Sequence, residues 1–583
     1  MLFKELAKYL EKLEGTSSRI SITKILADLF NKSSSEEIDK ITYLVLGQLA
    51  SAYEGIVFNM ADKMVIRAIS EAYRKDNKEV TQLYKKLGDL GEVACSLSKL
   101  TASKKTLPSK NPSVLEVYEK LLNTAGDEGE NSQERKVKSL AELFSSLDFL
   151  SVRFVARIPL GKLRLGFSDK TVLDALSWMI KGDKSMKPLL ERAYQVLPDV
   201  GLIAKKVKKE GLGKAVRNIK PVVGAPVLPM LAQRIKSPEE MIEKMGKVSV
   251  EPKLDGLRLS LHFKRDRGGS SAGQQGFTKA FTRNLNDNSW MFPELKEIGS
   301  YVKADNIILD CEAVGLDEET KQLANFQATM TRRRKHEIGN TLKKVGIKFF
   351  VFDILSKDGE NLMRKTYLER RRVLESTIEP GKNFKIVDYE LTSDPKKIED
   401  IYKKDTMSGY EGIMVKKADA FYVPGRTGWR WVKMKQVEKA ASKLADTLDL
   451  IVMGYSLGKG KRVGFGVGQF LAGVKDGRKV KTTTKVGTGL TDERFREIKE
   501  RLGKLEVKDK PKVYEIHKNY TPDYWVKPSL VVEVAADEIT KSPTHSAGLA
   551  LRFPRLIRFR DDKSPNEATT LGELNELFKI QKE

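Results

Sequence analysis

Apolar residues at the start of the chain recur every three or four positions: Phe3, Leu6, Leu10 and Leu13, then Ile38, Ile41, Val45 and Leu49. That period lines one face of an α-helix, so the first zone, residues 1–215, is predicted to be all-helical. Ser34 with Glu37 spells a capping box ahead of the second run. Stretches rich in Ser, Lys and Gly near 102–113 and 124–135 separate the helical runs. The zone closes on a basic stretch, Lys205 to Lys209, and a Pro-rich connector, PVVGAPVLPML, at 221–231. Proline stops a helix from propagating and marks a boundary there.

Beyond Val248 the period shortens to two. Leu257, Leu259, Leu261 and Phe263 alternate with Arg258, Ser260, His262 and Lys264, the pattern of a half-buried strand. Ile307 to Val314 and Ile347 to Leu355 read as more deeply buried strands, and stretches of helical composition separate them. An α+β zone is therefore expected over 216–440. Short strand-like segments follow (LDLIVMGY, QFLAGV, KVYEIH, LVVEVAA) with Gly-rich turns between them. Residues 441–583 are predicted to form a small β-barrel and a charged helical tail. GFGVGQF at 464–470 has the glycines of a dinucleotide loop, but no strand-turn-helix unit surrounds it, so it reads as a barrel turn.

Composition sharpens this picture. The 583 residues carry 105 Lys and Arg against 79 Asp and Glu, a net charge of +26. Such an excess favours a polyanionic partner, because lysine and arginine neutralise phosphates. The length exceeds what one core supports and suits three or four domains. Two single cysteines, Cys95 and Cys311, cannot build a four-cysteine zinc module, and the four histidines are scattered. The N-terminus, MLFKELAKYLEKLEG, lacks the apolar stretch of a signal peptide, and no run of 18 apolar residues occurs. A cytoplasmic, nucleoid-associated location and no membrane partner are expected.

The chemistry concentrates in the middle zone. In Glu251-Pro-Lys253-Leu-Asp255-Gly256-Leu-Arg258 a lysine follows a strand and precedes a glycine turn. Its amine becomes a nucleophile if its surroundings lower its pKa. Taken by itself, K-x-D-G is a weak pattern and equally describes a turn with an exposed lysine. An ordered series follows it: Arg283-Asn284; Asp310 and Glu312, two apart on one strand; Phe352-Asp353; Glu411-Gly412; Lys433 and Lys435 in WVKMK; and RFPRLIRFRDDK at 552–563. A nucleophilic lysine, carboxylates for a hard divalent metal and paired lysines for a phosphate make up a phosphoryl-transfer inventory. Singly, each has a plainer reading. Phe352 sits in a continuously apolar run and reads as core, and Asp310 with Glu312 reads as a solvated strand face. Trp429 and Trp431 read as packing, TRRRKHE at 331–337 as an exposed basic helix face, and His262 as a polar-side residue with no role.

Together and in this order, the elements resemble the covalent nucleotidyltransferases. Over nearly the whole chain they are similar to the archaeal and eukaryotic type of ATP-dependent DNA ligase. RIPLGKLRLGFSDKTVLDAL at 157–176 and VVEVAADEITKSPTHSAGLALRFPR at 531–555 extend the resemblance into the outer zones. The resemblance implies an all-α DNA-binding domain, an ATP-grasp-like adenylation domain and a C-terminal OB-fold. It further implies sealing of 5′-phosphate/3′-OH nicks through a lysyl-AMP and a DNA-adenylate, in replication, repair and recombination. ATP and Mg²⁺ would be the cofactors and nicked duplex DNA the partner of a monomer. A sliding clamp is an open candidate for which no clear peptide stands out.

The same resemblance implies roles for individual residues. Lys253 would attack the α-phosphate, Glu251 read the adenine edge and Phe352 stack on the base. Arg258 and Glu312 would contact the ribose, and Glu312 with Glu411 would place Mg²⁺. Lys433 and Lys435 would hold the α-phosphate, and Arg283 would act near the phosphates in later steps. Arg560, Asp562 and Lys563 would orient pyrophosphate, from a barrel that swings about the stretch QVEKAASKLADT, and the three domains would encircle the duplex. The chain departs from the family pattern at Thr427, where related ligases carry an arginine, and Arg426 or Arg430 would take its place. The loop at 265–276 has no legible purpose. A capping enzyme or RNA ligase, an NAD-dependent ligase and a non-catalytic DNA binder are the rivals. Architecture disfavours the first, cysteine count the second and the motif set the third.

Overall fold

The computed structural model describes residues 1–102, 111–161, 163, 165–235, 237–266, 276–317, 345–425, 428–435, 447–458, 465–487 and 490–580. These fall into two compact units, Met1–Ala61 with Thr106–Gln436, and Asp62–Lys105 with Val437–Glu583.

The first unit begins with helices whose apolar faces follow the predicted period. Phe3, Leu6, Leu10 and Leu13 are all buried on Phe3–Glu14. The expected cap at Ser34 is realised only in half. Glu37 accepts a hydrogen bond from the Ser34 backbone N–H, but the helix starts later, at Ile38–Val45. Glu37 is instead buried and paired with the N-terminal ammonium of Met1 at 2.8 Å, which takes its other oxygen.

Two sheets then face each other. Their strands, in chain order, are β1 (Gln233–Arg234), β2 (Val248–Lys253), β3 (Leu257–Lys264), β4 (Phe277–Thr282), β5 (Asn306–Asp317), β6 (Val345–Lys357), β7 (Glu360–Asn361), β8 (Phe384–Ile386), β9 (Glu390–Thr392), β10 (Gly412–Lys417) and β11 (Trp431–Lys435). One sheet runs β1-β11-β10-β2-β9; the other runs β4-β3-β5-β6-β7, with β8 beside β6. Period two sorts each strand. Val248, Val250, Ile413, Val415, Val432 and Met434 pack outward with Met241, Met245, Ile398 and Ile401 of the covering helices. Leu259, Leu261, Leu309, Cys311, Phe349 and Val351 fill the core on the outer side of the second sheet. The alternate positions face inward, toward the space between the sheets.

Strand β3 corrects one expectation. It is covered on both faces, and His262 is fully buried. The connector supplies the cover: Gly224 N–H donates to His262 Nδ1 at 3.1 Å, and the ring packs edge-on to Phe281. Burial, with Lys279 nearby, holds this imidazole down at about 3. The neutral ring therefore carries its proton on Nε2 and donates to Ser260 Oγ at 3.0 Å. His262 secures the connector.

In the second unit the strands Leu448–Ser456, Gln469–Asp476, Lys479–Val486 and Val531–Ala535 share one sheet around a common apolar core. The segment KVYEIH pairs only over Tyr514–Glu515. The predicted tail is the helix Leu571–Ile580, whose Leu574 is buried in that core.

Candidate active site

A cavity of about 420 Å³ lies between the two sheets of the first unit. Cross-strand register builds its floor. Glu251 pairs with Met414, which pairs with Lys433; Lys253 pairs with Gly412, which pairs with Lys435. A Cβ on Gly412 would lie 2.2 Å from the Met434 carbonyl oxygen, and its φ of 140° suits glycine alone. The absent side chain lets the strand bearing Lys435 close against it.

Lys253 Nζ donates to Glu411, whose other carboxylate oxygen accepts from Lys435 Nζ, and Glu411 N–H donates to the Lys253 carbonyl at 3.0 Å. Burial pushes the Lys253 ammonium below its ordinary value, against the pull of Glu312 and Asp255. Glu312, on the opposite sheet, shares the cavity with it. Burial raises its carboxyl to about 7, although Lys253 and Arg258 oppose the rise.

That shift fixes a sign. A carboxyl whose folded pKa exceeds its unfolded one costs stability as pH rises from about 4.5 toward 7. Glu312→Gln is therefore expected to raise the unfolding temperature above pH 7 and to leave it unchanged below about pH 4.5. Thermal unfolding of both proteins across that range checks it. A difference independent of pH would contradict it.

Arg258 faces inward from β3. It grips Asp310 through Nε (2.9 Å) and Nη2 (2.6 Å), and Nη1 donates to the Met230 carbonyl at 2.7 Å. Burial works against its charge, but Asp310 more than offsets this and holds the guanidinium charged. Tyr422 closes the ring by donating to Asp310 (2.9 Å) and accepting from Met230 N–H (3.0 Å). The predicted same-face pair, Asp310 and Glu312, thus divides its work. Asp310 is 3 % exposed and holds Arg258, while Glu312 lines the cavity.

Phe352 reaches the cavity from the inward face of β6, alternate to the outward Phe349 and Val351. On β6 the partners of Asp310 and Cys311 are Asp353 and Val351, so Phe352 is an unpaired bulge residue. The outward positions then step from Val351 to Ile354, so the alternation breaks just after Phe352, at Asp353. Asp353 anchors the bulge by a two-bond pair with buried Arg370, 2.8 Å each. Asp353→Ala would strand that guanidinium in the core. It is expected to cost about 3–5 kcal/mol, read as an early first transition in denaturant unfolding with the Phe352 wall disordered.

Two residues that sequence reasoning missed complete the wall. Lys416 is 1 % exposed and pairs with Glu251 at 2.6 Å. Its ammonium sits 4.6 Å from the ring centres of Phe352 and Trp431. Tyr367 donates its hydroxyl to Glu251 from outside the cavity. Lys416 was findable, since period two sets it on the same face as Met414. Nothing in the pattern singled out Tyr367.

Of the predicted residues, Glu251, Lys253, Arg258, Arg283, Glu312, Phe352 and Lys433 line the cavity, with Trp431 beside them. Glu411 and Lys435 join through Lys253. Arg283 projects from a turn whose Leu285 holds a left-handed φ of 65°. Arg430 is not among the lining residues, and Arg426 and Thr427 lie outside the described residues, as do 331–337, 267–275 of the loop and 436–446 of the expected hinge. Trp429 packs against the helix cover, under Lys244. Arg560 and Lys563 belong to the second unit, where both bind Asp449 (3.0 and 2.6 Å), and Asp562 binds Arg560.

Known proteins match these features over nearly the full length. Family models described as DNA ligase N terminus, ATP dependent DNA ligase domain and ATP dependent DNA ligase C terminal region match residues 2–177, 229–435 and 464–563. The chain is 40% identical to a probable DNA ligase of Dictyoglomus thermophilum over 593 residues, covering 100% of this chain and 98% of the relative. It is 36% identical to a DNA ligase of Saccharolobus solfataricus over 602 residues, with the same coverages. A solved structure named Pmar-Lig_Pre is similar in fold, with a TM-score of 0.50 and 17% identity, covering 95% of this chain and 99% of that one.

Proposed function

The chain belongs to the ATP-dependent DNA ligases, which seal nicks in duplex DNA, and from that premise we propose how its pocket performs the first step. Lys253 sheds its proton, which its burial eases, and the neutral amine attacks the α-phosphorus of ATP. An N–P bond forms, the bridging P–O bond to the β-phosphate breaks, and pyrophosphate leaves. The AMP then passes to the 5′-phosphate of the nick. The 3′-hydroxyl attacks that phosphate and AMP departs. Phe352 stacks on the base, Glu251 accepts from its amino edge, and Arg258 with Glu312 faces the ribose. Lys433 and Lys435 neutralise the α-phosphate, and Arg283 serves the phosphates in the later steps.

The observation that carries this reading is the placement of Lys253: a half-buried amine opening into a cavity flanked by Glu312, Arg258 and Lys433. Glu312 and Glu411 are the residues that would hold Mg²⁺. Both offer hard oxygen donors beside the site of the phosphates, which suits a cation that completes its shell with water and substrate oxygens. Bound there, the ion would neutralise charge on the triphosphate. The test is label transfer: the denatured protein should carry radioactivity from α-labelled ATP and not from GTP or NAD. Labelling from GTP instead would overturn the base assignment.

A further inference from the structure

The helix Tyr367–Thr377 lies against the outside of the adenylate cavity. It opens with a capping box in which Thr366 and Glu369 exchange hydrogen bonds. Tyr367, Arg370 and Arg371 stand at i, i+3 and i+4 on one face, and all three are buried. Each holds a different wall. Tyr367 donates to Glu251 on β2, Arg370 grips Asp353 beside the bulge, and Arg371 donates to the carbonyl of Val387.

Glu251 is 2 % exposed, and both of its oxygens are engaged: Oε1 by Tyr367, Oε2 by Lys416 at 2.6 Å. With a donor behind each oxygen, the carboxylate has only lone pairs to offer toward the cavity. Such a group welcomes an N–H on the ligand and repels a carbonyl oxygen. Without the phenol, the carboxylate keeps a single tether, Lys416, and can turn about it.

We propose that Tyr367, which touches no substrate, is a positioning residue that sets base selectivity, by fixing the Glu251 carboxylate where it accepts from the 6-amino group of adenine. This rests on the reading that Glu251 faces the base edge. Burial and the neighbouring Glu251 push the Tyr367 phenol well above its ordinary value, so it stays a donor at every working pH. A site built around a buried acceptor rejects a ligand that cannot donate, because the mismatch leaves that acceptor unpaired.

Tyr367→Phe removes one hydroxyl and keeps the ring. Self-nucleotidylation would be measured with ATP and with ITP, in which a 6-carbonyl replaces the amine. The variant is expected to raise KM for ATP about tenfold with kcat within about threefold, and to cut the ATP-over-ITP ratio of kcat/KM by about tenfold or more. Glu251→Gln, whose amide can donate as well as accept, should lower the same ratio. If Glu251→Gln lowers it and Tyr367→Phe does not, Tyr367 has no part in selectivity and the proposal falls. If Glu251→Gln leaves the ratio unchanged, the placement of Glu251 at the base edge is itself wrong. Unfolding temperatures accompany both variants. A lower value for Tyr367→Phe with an unaltered ratio would mean packing alone and would also overturn the proposal.

Discussion

Lys253→Ala is expected to abolish the ATP-derived label on the denatured protein, a fall of at least about a thousandfold, because the bond-forming atom is gone. Lys253→Arg separates charge from nucleophilicity. The guanidinium keeps a cation in the cavity but never yields a neutral amine near neutral pH, so it should label no better than alanine. Joining a nick that already carries a 5′-adenylate needs no N–P bond and should survive in both variants far better than ATP-driven sealing. Full labelling of either variant would place the nucleophile elsewhere.

Removing the helical zone should divide the reaction differently. Every described residue lining the adenylate cavity lies after position 230, so a chain beginning near Ile219 retains all of them. Self-adenylylation is expected to stay within about threefold of the full chain. Sealing should fall by about a hundredfold or more, since holding two DNA ends in line can lower a barrier by several kcal/mol without touching the reacting phosphate. Nick affinity should also lose much of its salt dependence as phosphate contacts disappear. Paired labelling and sealing assays over a salt series check this. If both activities collapsed together, the helices would be a folding support for the sheets. Val196 packing beside Val223 and Val227 is the contact that would then matter.

The sequence made the strand register legible wherever alternation was unbroken. Period two alone sets Glu251 with Lys253 and Lys433 with Lys435 on inward faces, and the structure puts them there. It misled where one element covers another. His262 is polar and sits among polar neighbours, yet the connector buries it, and no local pattern encodes that cover. Phe352 was ambiguous for a related reason. From Phe349 to Phe352 the inward and outward positions are alike apolar, so composition alone does not show which of them reach the cavity. Tyr367 was beyond reach, since its role depends on a helix packing more than a hundred residues from Glu251. The split between Asp310 and Glu312 likewise needs three dimensions: identical chemistry two positions apart becomes a clamp in one case and a cavity wall in the other.

The clamp has a consequence for any attempt to divide the protein. Leu228 N–H is bound to the Gln195 carbonyl at 3.0 Å, and Met230, two residues on, is held from both sides by Tyr422 and Arg258. Two residues thus separate this anchor on the helices from the next one on the catalytic sheets, about 7 Å at full stretch, and Gly224, bound to His262, ties the connector to β3 on the other side. Supplied as a separate polypeptide, the helical zone would have to match that proximity by concentration alone, on the order of millimolar. Mixing the two halves at micromolar levels should therefore restore little sealing, even with each half correctly folded.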